Sequence, residues 1–159
     1  MSTPVTGVPT PPVVAEEIDL TPYVDAIATA LIDGTPVAIA TSSPDGSPDV
    51  AFKGSLMVWD RDHLAYWERS FKETLAALRA GKGGIATLYR NQDRGFPVPV
   101  RFYGEVEQLV ESGDLREQVW ERVNDVEKGR DPEKKGIAVI FRVDRIKRGQ
   151  AVVAERPRE

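Results

Sequence analysis

The chain has 159 residues, of which 41% are hydrophobic and 29% charged, values typical of a single soluble globular domain. Its formal net charge of −4 argues against nucleic acid as the main partner, since binding to a phosphate backbone usually needs a concentrated basic face. The absence of cysteine excludes disulfides, thiolate nucleophiles and cysteine-ligated metals.

The sequence also disfavours a membrane or metal-binding role. No apolar run approaches the roughly 20 residues needed to cross a bilayer, and the N-terminus lacks the basic start and apolar block of a secretion signal. We therefore expect a cytoplasmic protein with no membrane partner. His63 has no second histidine with which to share a metal ion, so we predict no metal site.

The chain is predicted to begin with an arm and a short helix. Met1–Glu16 is rich in proline and lacks hydrophobic periodicity, which predicts a disordered or extended segment. Thr21–Pro22 combines a helix cap with proline at the first helical position, and Asp33–Gly34 ends the helix. Its predicted apolar stripe consists of Val24, Ile27, Ala28 and Leu31.

Two β-favouring segments follow, Pro36–Ser42 and Asp49–Trp59, and a glycine interrupts the second. A glycine inside a strand, here Gly54, indicates either a bulge or a place where a ligand approaches the backbone. Lys53 and Ser55 flank it, and we include all three as candidate ligand-binding residues. The alternative for Lys53 is an edge-strand lysine that discourages pairing between sheets.

The stretch from Lys53 to Thr74 is predicted to form a strand, a tight turn at Asp60–Asp62, a second strand and the start of a helix. Ser70 and Glu73 form a capping box, which predicts a helix that ends at Gly81. The unpaired N–H groups and partial positive charge of a helix N-terminus suit a phosphate. The candidate phosphate-binding residues here are Arg69, Ser70, Lys72 and Thr74. The alternative is that Ser70 only caps the helix and that the neighbouring charges are solvated.

The second half of the chain is predicted to contain three strands and one helix. The strands are Ile85–Tyr89, Phe96–Leu109 and Gly136–Arg145. Ser112–Lys128 is an amphipathic helix, and Gln150–Glu159 is expected to fray or to reach across to a partner subunit. The predicted buried stripe of the helix consists of Leu115, Val119, Val123 and Val126, widened by Trp120.

These segments together resemble the flavin mononucleotide (FMN) binding split barrels related to pyridoxamine 5'-phosphate oxidase. The resemblance covers roughly Pro36 to Leu109 and rests on the order and spacing of Val37–Thr41, Pro44–Pro48, F-K-G-S-L-M-V, S-F-K-E-T and V-R-F-Y-G-E-V. It implies a mainly β fold, a six-stranded antiparallel split β-barrel with flanking helices. One FMN-binding domain is then expected over residues 17–150, between an arm at 1–16 and a tail at 151–159.

The resemblance also implies a cofactor site between two subunits. FMN would lie in the groove of a homodimer, and Lys53, Gly54 and Ser55 would follow the flavin ring and ribityl chain. Trp67, at the end of the hairpin, is included in the site. Where the oxidase has an arginine–lysine pair on the flavin phosphate, this chain has Phe71–Lys72, so we expect Arg69 to take the role of the missing arginine.

Arg101 matches an arginine in the family's V-R-x-x-G strand. It is expected either to reach flavin or substrate or to pair with a glutamate on a neighbouring strand.

The resulting functional hypothesis is an FMN-dependent oxidoreductase that passes a hydride or electrons from a reduced nicotinamide or other donor to a small-molecule acceptor. No catalytic residue is identified, because the flavin would carry the chemistry. The alternatives are a non-catalytic flavin-binding electron carrier and a deazaflavin-dependent reductase in the same fold. The reaction of pyridoxamine 5'-phosphate oxidase itself is not expected, since the C-terminal segment lacks the arginine- and histidine-rich substrate motif.

Overall fold

The computed structural model describes residues 16–42, 45–69 and 84–157. The described strands are β1 (Val37–Ser42), β2 (Pro48–Lys53), β3 (Met57–Val58), β4 (His63–Glu68), β5 (Gly84–Asn91), β6 (Phe96–Val110), β7 (Ile137–Arg148) and β8 (Ala151–Glu155). The described helices are α1 (Val24–Ala28), which follows a 3-10 turn at Thr21–Tyr23, α2 (Asp114–Arg122) and α3 (Asp125–Arg130). None of the helices in this part of the chain is long and apolar enough to cross a membrane.

The strands form one antiparallel sheet in the order β2-β1-β5-β6-β7-β4-β3, with β8 paired to β7. β2 and β3 lie at opposite ends of this order, yet only residues 54–56 separate them in the sequence. The chain itself therefore joins the two ends of the sheet, and the sheet must curl to allow this. The predicted split β-barrel fold is confirmed, and we call the junction at residues 54–56 the seam.

The six predicted strands are all present, but two of the expectations about them were wrong. Asp49–Trp59 is divided at the seam into β2 and β3, because the chain crosses there from one end of the sheet to the other. Ala151–Glu155, part of a segment expected to fray or to reach across to a partner subunit, forms β8. β7 extends beyond its partner β4, and β8 covers the free edge of β7 by pairing with Arg145–Arg148.

The helices also differ from prediction. In the N-terminal helix the buried residues are Tyr23, Ala26, Ile27 and Ala30, whereas the predicted Val24 is exposed. The first turn is 3-10, with three residues per turn, which rotates the buried face away from the spacing of a regular α-helix. Ser112–Lys128 is not one helix, because Val123 is extended and Asn124 caps a new helix by accepting a hydrogen bond from the Glu127 amide. Val126 is consequently exposed.

Two hydrophobic cores result from this arrangement. The larger one fills the inside of the curled sheet, and its fully buried members include Leu20, Leu64, Tyr66, Phe102 and Phe141. The second lies on the opposite face of β4 and β7, beneath α2, and contains Met57, Ala65, Trp67, Val119, Val123, Ala138 and Ile140. β4 is therefore buried on both faces, which holds its two ends firmly in place.

The outer face of the sheet, opposite the larger core, is apolar over β2, β1 and β5 and basic over β6 and β7. The cross-strand registers align two rows of residues along this face: Phe52, Ala38, Leu88, Arg101 and Lys147, and Val50, Ala40, Ala86, Tyr103 and Arg145. Phe52 is 72% exposed and Val50 69% exposed. Apolar side chains of this size at adjacent exposed positions are typical of a surface that another molecule covers.

His63, at the start of β4, is surrounded by carboxylates. Its Nε2 lies 2.8 Å from Glu107 and its Nδ1 lies 2.9 Å from Asp60 and 2.8 Å from Asp62. Burial alone would lower the pKa of His63, but its hydrogen bonds to Glu107 and Asp60 and the nearby negative charges raise that pKa above its ordinary value. Ligand atoms of Asp60, Asp62 and His63 lie within 4.8 Å of one another, although Arg156 already engages Asp62 at 2.6 Å.

This cluster predicts a pH dependence of stability. Because the folded-state pKa of His63 exceeds the value of about 6.5 in an unfolded chain, its protonated form stabilises the fold below about pH 6.5, and this stabilisation is lost as the pH rises through the folded-state pKa. We expect the unfolding free energy of the wild type to fall between about pH 6 and 9 by up to about 1 kcal/mol more than that of His63→Gln. Urea unfolding across this range measures the difference, and parallel profiles would contradict it.

Candidate functional site

A pocket of about 310 Å³ lies at the seam. Its lining residues come from β2, the seam, β4, α3 and the segment before β1: Leu31, Pro36, Phe52, Lys53, Gly54, Ser55, Trp67, Glu68, Arg69, Glu127 and Arg130. Five of the residues predicted from the sequence are among them: Lys53, Gly54, Ser55, Trp67 and Arg69. The fold thus brings together candidates from β2, at one end of the sheet order, and from β4, next to the strand at the other end, and we call this the seam pocket.

Lys53 and Glu68 form an ion pair inside the seam pocket. The ammonium nitrogen of Lys53 lies 3.0 Å from Oε1 and 2.8 Å from Oε2 of Glu68, and the two side chains are 12% and 1% exposed. The Lys53 nitrogen also lies 5.7 Å from the centre of the Tyr66 ring. Burial, and secondarily the charge of Glu68, raises the pKa of Tyr66 above its usual range, so the phenol stays neutral. Lys53 and Glu68 thus form a largely buried ion pair whose charges sum to zero.

The backbone of Gly54 lies close to side chains from other parts of the protein. A Cβ atom at this position would lie 2.6 Å from Oε1 of Glu127 and 2.9 Å from Cδ2 of Leu31. The Gly54 carbonyl also accepts a hydrogen bond from Nδ2 of Asn124 at 2.8 Å. The close approach that the glycine indicated is therefore made by the residues that begin α3, which pack directly on the seam.

The hydroxyl of Ser55 is used within the protein. Its Oγ accepts a hydrogen bond from the Trp67 amide at 2.9 Å and donates one to the Trp67 carbonyl at 3.2 Å. These two bonds tie the seam to β4 where the sheet ladder is interrupted. Ser55 thus shapes the seam pocket through the backbone.

Trp67 lines the seam pocket, but its indole belongs to the second core. The ring lies 4.8 Å from the Trp120 ring and 4.8 Å from the guanidinium of Arg116. Its Nε1 donates a hydrogen bond to Asp131 at 2.8 Å. Burial would raise the pKa of Asp131, but this bond and those from the amides of Lys135 and Gly136 lower it below its ordinary value. The indole therefore fastens the segment after α3 to β4, a role that the sequence did not reveal.

Arg69 and Arg130 meet at a single carboxylate. Nε of Arg69 lies 3.3 Å from Oε2 of Glu127, and Nη1 of Arg130 lies 2.5 Å from Oε1. The Glu127 side chain is 4% exposed, whereas those of Arg69 and Arg130 are 42% and 49% exposed. The carboxylate is thus buried and holds two guanidinium groups at the opening of the seam pocket.

The other predicted site residues are placed differently. Ser70, Lys72 and Thr74, together with the predicted helix that they begin, lie outside the described residues. Arg101 lies on the outer face of β6, with Leu88 and Lys147 as its direct cross-strand neighbours, so neither neighbour is the glutamate that the sequence suggested as a partner. It does not line the seam pocket.

Three charged residues of the seam pocket were missed in the sequence: Glu68, Glu127 and Arg130. Glu68 had a signal, because it follows Tyr66 at an alternate position of a strand and thus shares its core-facing side. No sequence signal pointed to Glu127 or Arg130. The pattern predicted one long helix, and nothing in it indicated that the end of this helix packs against Gly54.

A larger cavity, of about 1050 Å³, lies beside β6 and β7 and is lined in part by Tyr103, Arg142 and Arg156. None of the predicted site residues that the structure describes lines it. Asp144 accepts hydrogen bonds from both arginines there, which engages part of their donor capacity. The seam pocket is therefore the better candidate for the functional site.

The seam pocket can bind and polarise a ligand, but its own side chains offer little reactive chemistry. The residues that line it include no histidine and no cysteine, and its serine is hydrogen-bonded to the backbone. Its carboxylates are held in ion pairs with Lys53, Arg69 and Arg130. Such a set suits a site in which a bound cofactor performs the reaction and the protein supplies position and charge.

Comparison with known proteins identifies the family of the chain. The sequence profile of the pyridoxamine 5'-phosphate oxidase family matches residues 23–146. Among solved structures, HupZ from Group A Streptococcus is 22% identical, with a TM-score of 0.57 over 82% of this chain and 96% of HupZ. An FMN-binding protein from Syntrophomonas wolfei subsp. wolfei is 18% identical, with a TM-score of 0.57 over 77% of this chain and 83% of that protein.

An F420 reductase is 16% identical, with a TM-score of 0.53 over 71% of this chain and 89% of the reductase. At these identities the structural likenesses establish the fold alone. No curated protein matches the sequence. The family profile, however, spans the chain from the N-terminal helix to the end of the barrel, and the curled antiparallel sheet agrees with it. The chain therefore belongs to the pyridoxamine 5'-phosphate oxidase-like family of FMN-binding split barrels.

Proposed function

We propose that this protein is an FMN-dependent oxidoreductase that acts as a homodimer in the cytoplasm and passes a hydride or electrons to a small-molecule acceptor. The observation that carries the proposal is the convergence of Lys53, Gly54, Ser55 and Arg69 on one pocket in a member of this family. The amino-acid sequence alone predicts the same four residues as flavin-binding candidates.

The seam pocket suits the polar end of a flavin nucleotide. Its volume of about 310 Å³ is at the lower end of the range for small-molecule sites, about 300–1,000 Å³, so it accommodates part of the cofactor rather than all of it. Arg69 offers guanidinium N–H groups at the opening, and Ser70, Lys72 and Thr74 are expected to add the N-terminus of a helix. Bound FMN supplies the redox chemistry.

Lys53 is expected to shift the redox potential of a bound flavin only moderately. An isolated lysine near the pyrimidine end would stabilise the negative charge of the reduced ring and raise its potential. Glu68, 2.8 Å from the ammonium group, offsets that charge. The pair would therefore orient the ring through the Lys53 ammonium hydrogens while shifting its potential less than a lone lysine would.

The outer face of the sheet supports the homodimer. Val50, Phe52 and Leu88 form an exposed apolar surface beside the small side chains of β1 and β5. A second copy of the chain is a suitable cover for this surface, because a two-fold interface brings the same patch of each subunit together. Arg101 lies on the same face and would then reach toward the cofactor groove from its own side of the interface.

A deazaflavin-dependent reductase is the second candidate, favoured by the structural similarity to an F420 reductase. A third is a flavin carrier that does not turn over a dedicated substrate. The visible spectrum of the purified protein separates them. A yellow protein that releases flavin on denaturation and bleaches rapidly with a reduced nicotinamide under anaerobic conditions supports the proposal. A flavin that a reduced nicotinamide does not bleach rapidly favours the non-catalytic carrier, and protein that gains no flavin on soaking contradicts both the FMN-dependent oxidoreductase and the carrier.

The Lys72→Ala variant tests the phosphate site predicted from the sequence. Loss of a charge-assisted hydrogen bond should weaken FMN binding by about 1.5–3 kcal/mol. Riboflavin, which has no phosphate, should bind the variant and the wild type almost equally. Flavin fluorescence titrations measure both affinities. Equal losses for the two ligands would mean that Lys72 acts through folding.

A further inference from the structure

Three basic side chains surround one aromatic ring on the outer face of β6 and β7. Tyr103 lies on β6, and its direct neighbour on β7 is Arg145, whose guanidinium carbon lies 4.7 Å from the centre of the ring. The ammonium nitrogen of Lys147 lies 5.8 Å from the centre of the same ring. Arg101, two residues before Tyr103 on β6, is directly opposite Lys147. We call these four residues the Tyr103 cluster.

The three cations of the Tyr103 cluster have no carboxylate partner among the residues that the structure describes, which include their neighbours in the sequence. The nearby carboxylates of Asp144 and Glu105 lie 2.7 Å and 3.8 Å from Arg142 instead. Glu155 is directly opposite Arg145 on β8 but forms no ion pair with it. Three positive charges held together without counter-charges, in a chain with a net charge of −4, favour an external anion.

The Tyr103 cluster also borders the larger cavity, of about 1050 Å³. Tyr103 and Arg145 line this cavity, and the next positions across the sheet are Ala86 on β5 and Ala40 on β1, which line it as well. These two small side chains leave space above the sheet beside the Tyr103 ring. The cavity thus joins an apolar floor to a cationic wall, a combination that suits a small organic anion.

The contact with the Tyr103 ring prepares Arg145 for such a ligand. A cation–π contact uses the charge of a guanidinium group and not its N–H donors. The ring therefore holds the half-buried Arg145 side chain in place while its N–H groups stay available to a carboxylate or a phosphate.

We infer that the Tyr103 cluster is a binding site for an organic anion, with the carboxylate or phosphate at its three cations and the apolar part in the cavity beside β5. Phe52 lines the seam pocket and belongs to the same row of the outer face as Arg101, so the two sites share one face of the sheet. The inference deepens the proposed function and rests on it only in naming this anion as the acceptor. Arg145 is then a ligand-binding residue and Tyr103 a positioning residue.

Benzoate, phenyl phosphate and benzyl alcohol are matched probes, since all three carry a ring and only the first two are anions. Calorimetric titration of the wild type, without added flavin, should detect binding of an anion but not of the alcohol, and added salt should weaken it. The anion that binds more tightly identifies the charged group of the ligand as carboxylate or phosphate. Arg145→Gln should weaken this binding about tenfold or more, as expected for the loss of a charge-assisted hydrogen bond.

Arg148→Gln is the matched control. Arg148 lies on the same strand as Arg145, but its guanidinium group lies over the Phe96 ring and it does not line the cavity. This variant should bind the anions as the wild type does. Arg101→Gln leaves the contact between Arg145 and Tyr103 intact and should weaken binding in the same direction as Arg145→Gln, which separates loss of charge from loss of packing.

The inference and the proposed function fail in different ways, because the titration needs no flavin. Protein that binds FMN but neither anion overturns the inference and leaves the proposed function intact. Equal anion binding by the wild type, Arg145→Gln and Arg101→Gln also overturns the inference. Protein that gains no flavin but binds an anion through Arg145 refutes the proposed function and supports the anion site.

Discussion

Replacing Gly104 with alanine is expected to destabilise the protein by about 3 kcal/mol or more, a large share of the stability of a domain of this size. A Cβ atom at this position would lie 1.8 Å from the carbonyl oxygen of Arg142 and 2.8 Å from its carbonyl carbon. Both are backbone atoms of β7, so no side-chain rotation can relieve the contact. The two strands would have to separate where β6 and β7 shift register between Tyr103 and Gly104.

Gly129→Ala is the matched control for this prediction. Gly129 lies in α3 and has no heavy atom within 4 Å of a Cβ built on it, leaving out its chain neighbours and the backbone of its own helix. Alanine is favoured over glycine inside a helix by about 1 kcal/mol, so this variant should be neutral or slightly more stable. Urea unfolding followed by circular dichroism compares the two. Similar midpoints for both variants would show that the β6–β7 contact is not a constraint.

Gly104 also illustrates how much of the fold could be predicted from the sequence. The alternation of Val100, Phe102 and Gly104 on one face of a strand was evident, because side chains point to alternate sides of a sheet. The reason for glycine was not, since it depends on a carbonyl of β7 that lies far away in the sequence. Local patterns predict elements, whereas close approaches between elements require the tertiary structure.

The same distinction applies at the seam. Gly54 stands out in the sequence because it interrupts a strand, but the carboxylate that lies closest to it, that of Glu127, comes from α3. The sequence pattern merged α2 and α3 into one helix, because Val119, Val123 and Val126 keep helical spacing across the break. The extended conformation of Val123 turns the chain, and this turn delivers Glu127 and Arg130 to the seam pocket.

Substitution of Glu68 in the buried Lys53–Glu68 pair is expected to cause the second large loss of stability. Glu68→Ala should destabilise the protein by about 3–5 kcal/mol, because it leaves the ammonium group of Lys53 largely buried without its carboxylate. The double variant Lys53→Met, Glu68→Leu should cost much less, since replacing both members of a buried pair by apolar side chains is often close to neutral. Together with the single variants Lys53→Met and Glu68→Leu, the double variant completes a double-mutant cycle, and urea unfolding then gives the coupling between the two residues. A coupling below about 0.5 kcal/mol would contradict a mutual ion pair.

The double variant also separates the stabilising role of the pair from a role toward a cofactor. If the pair serves the fold alone, the double variant should bind FMN as the wild type does. If the Lys53 ammonium also donates a hydrogen bond to a bound flavin, the double variant should remain folded but bind both FMN and riboflavin more weakly, because the lost contact is to the ring that the two ligands share. That pattern is the opposite of the one expected for Lys72→Ala, which should affect only the phosphate-bearing ligand. The seam pocket would then have two distinct ends, with Lys53 and Glu68 at the ring and Arg69 at the phosphate.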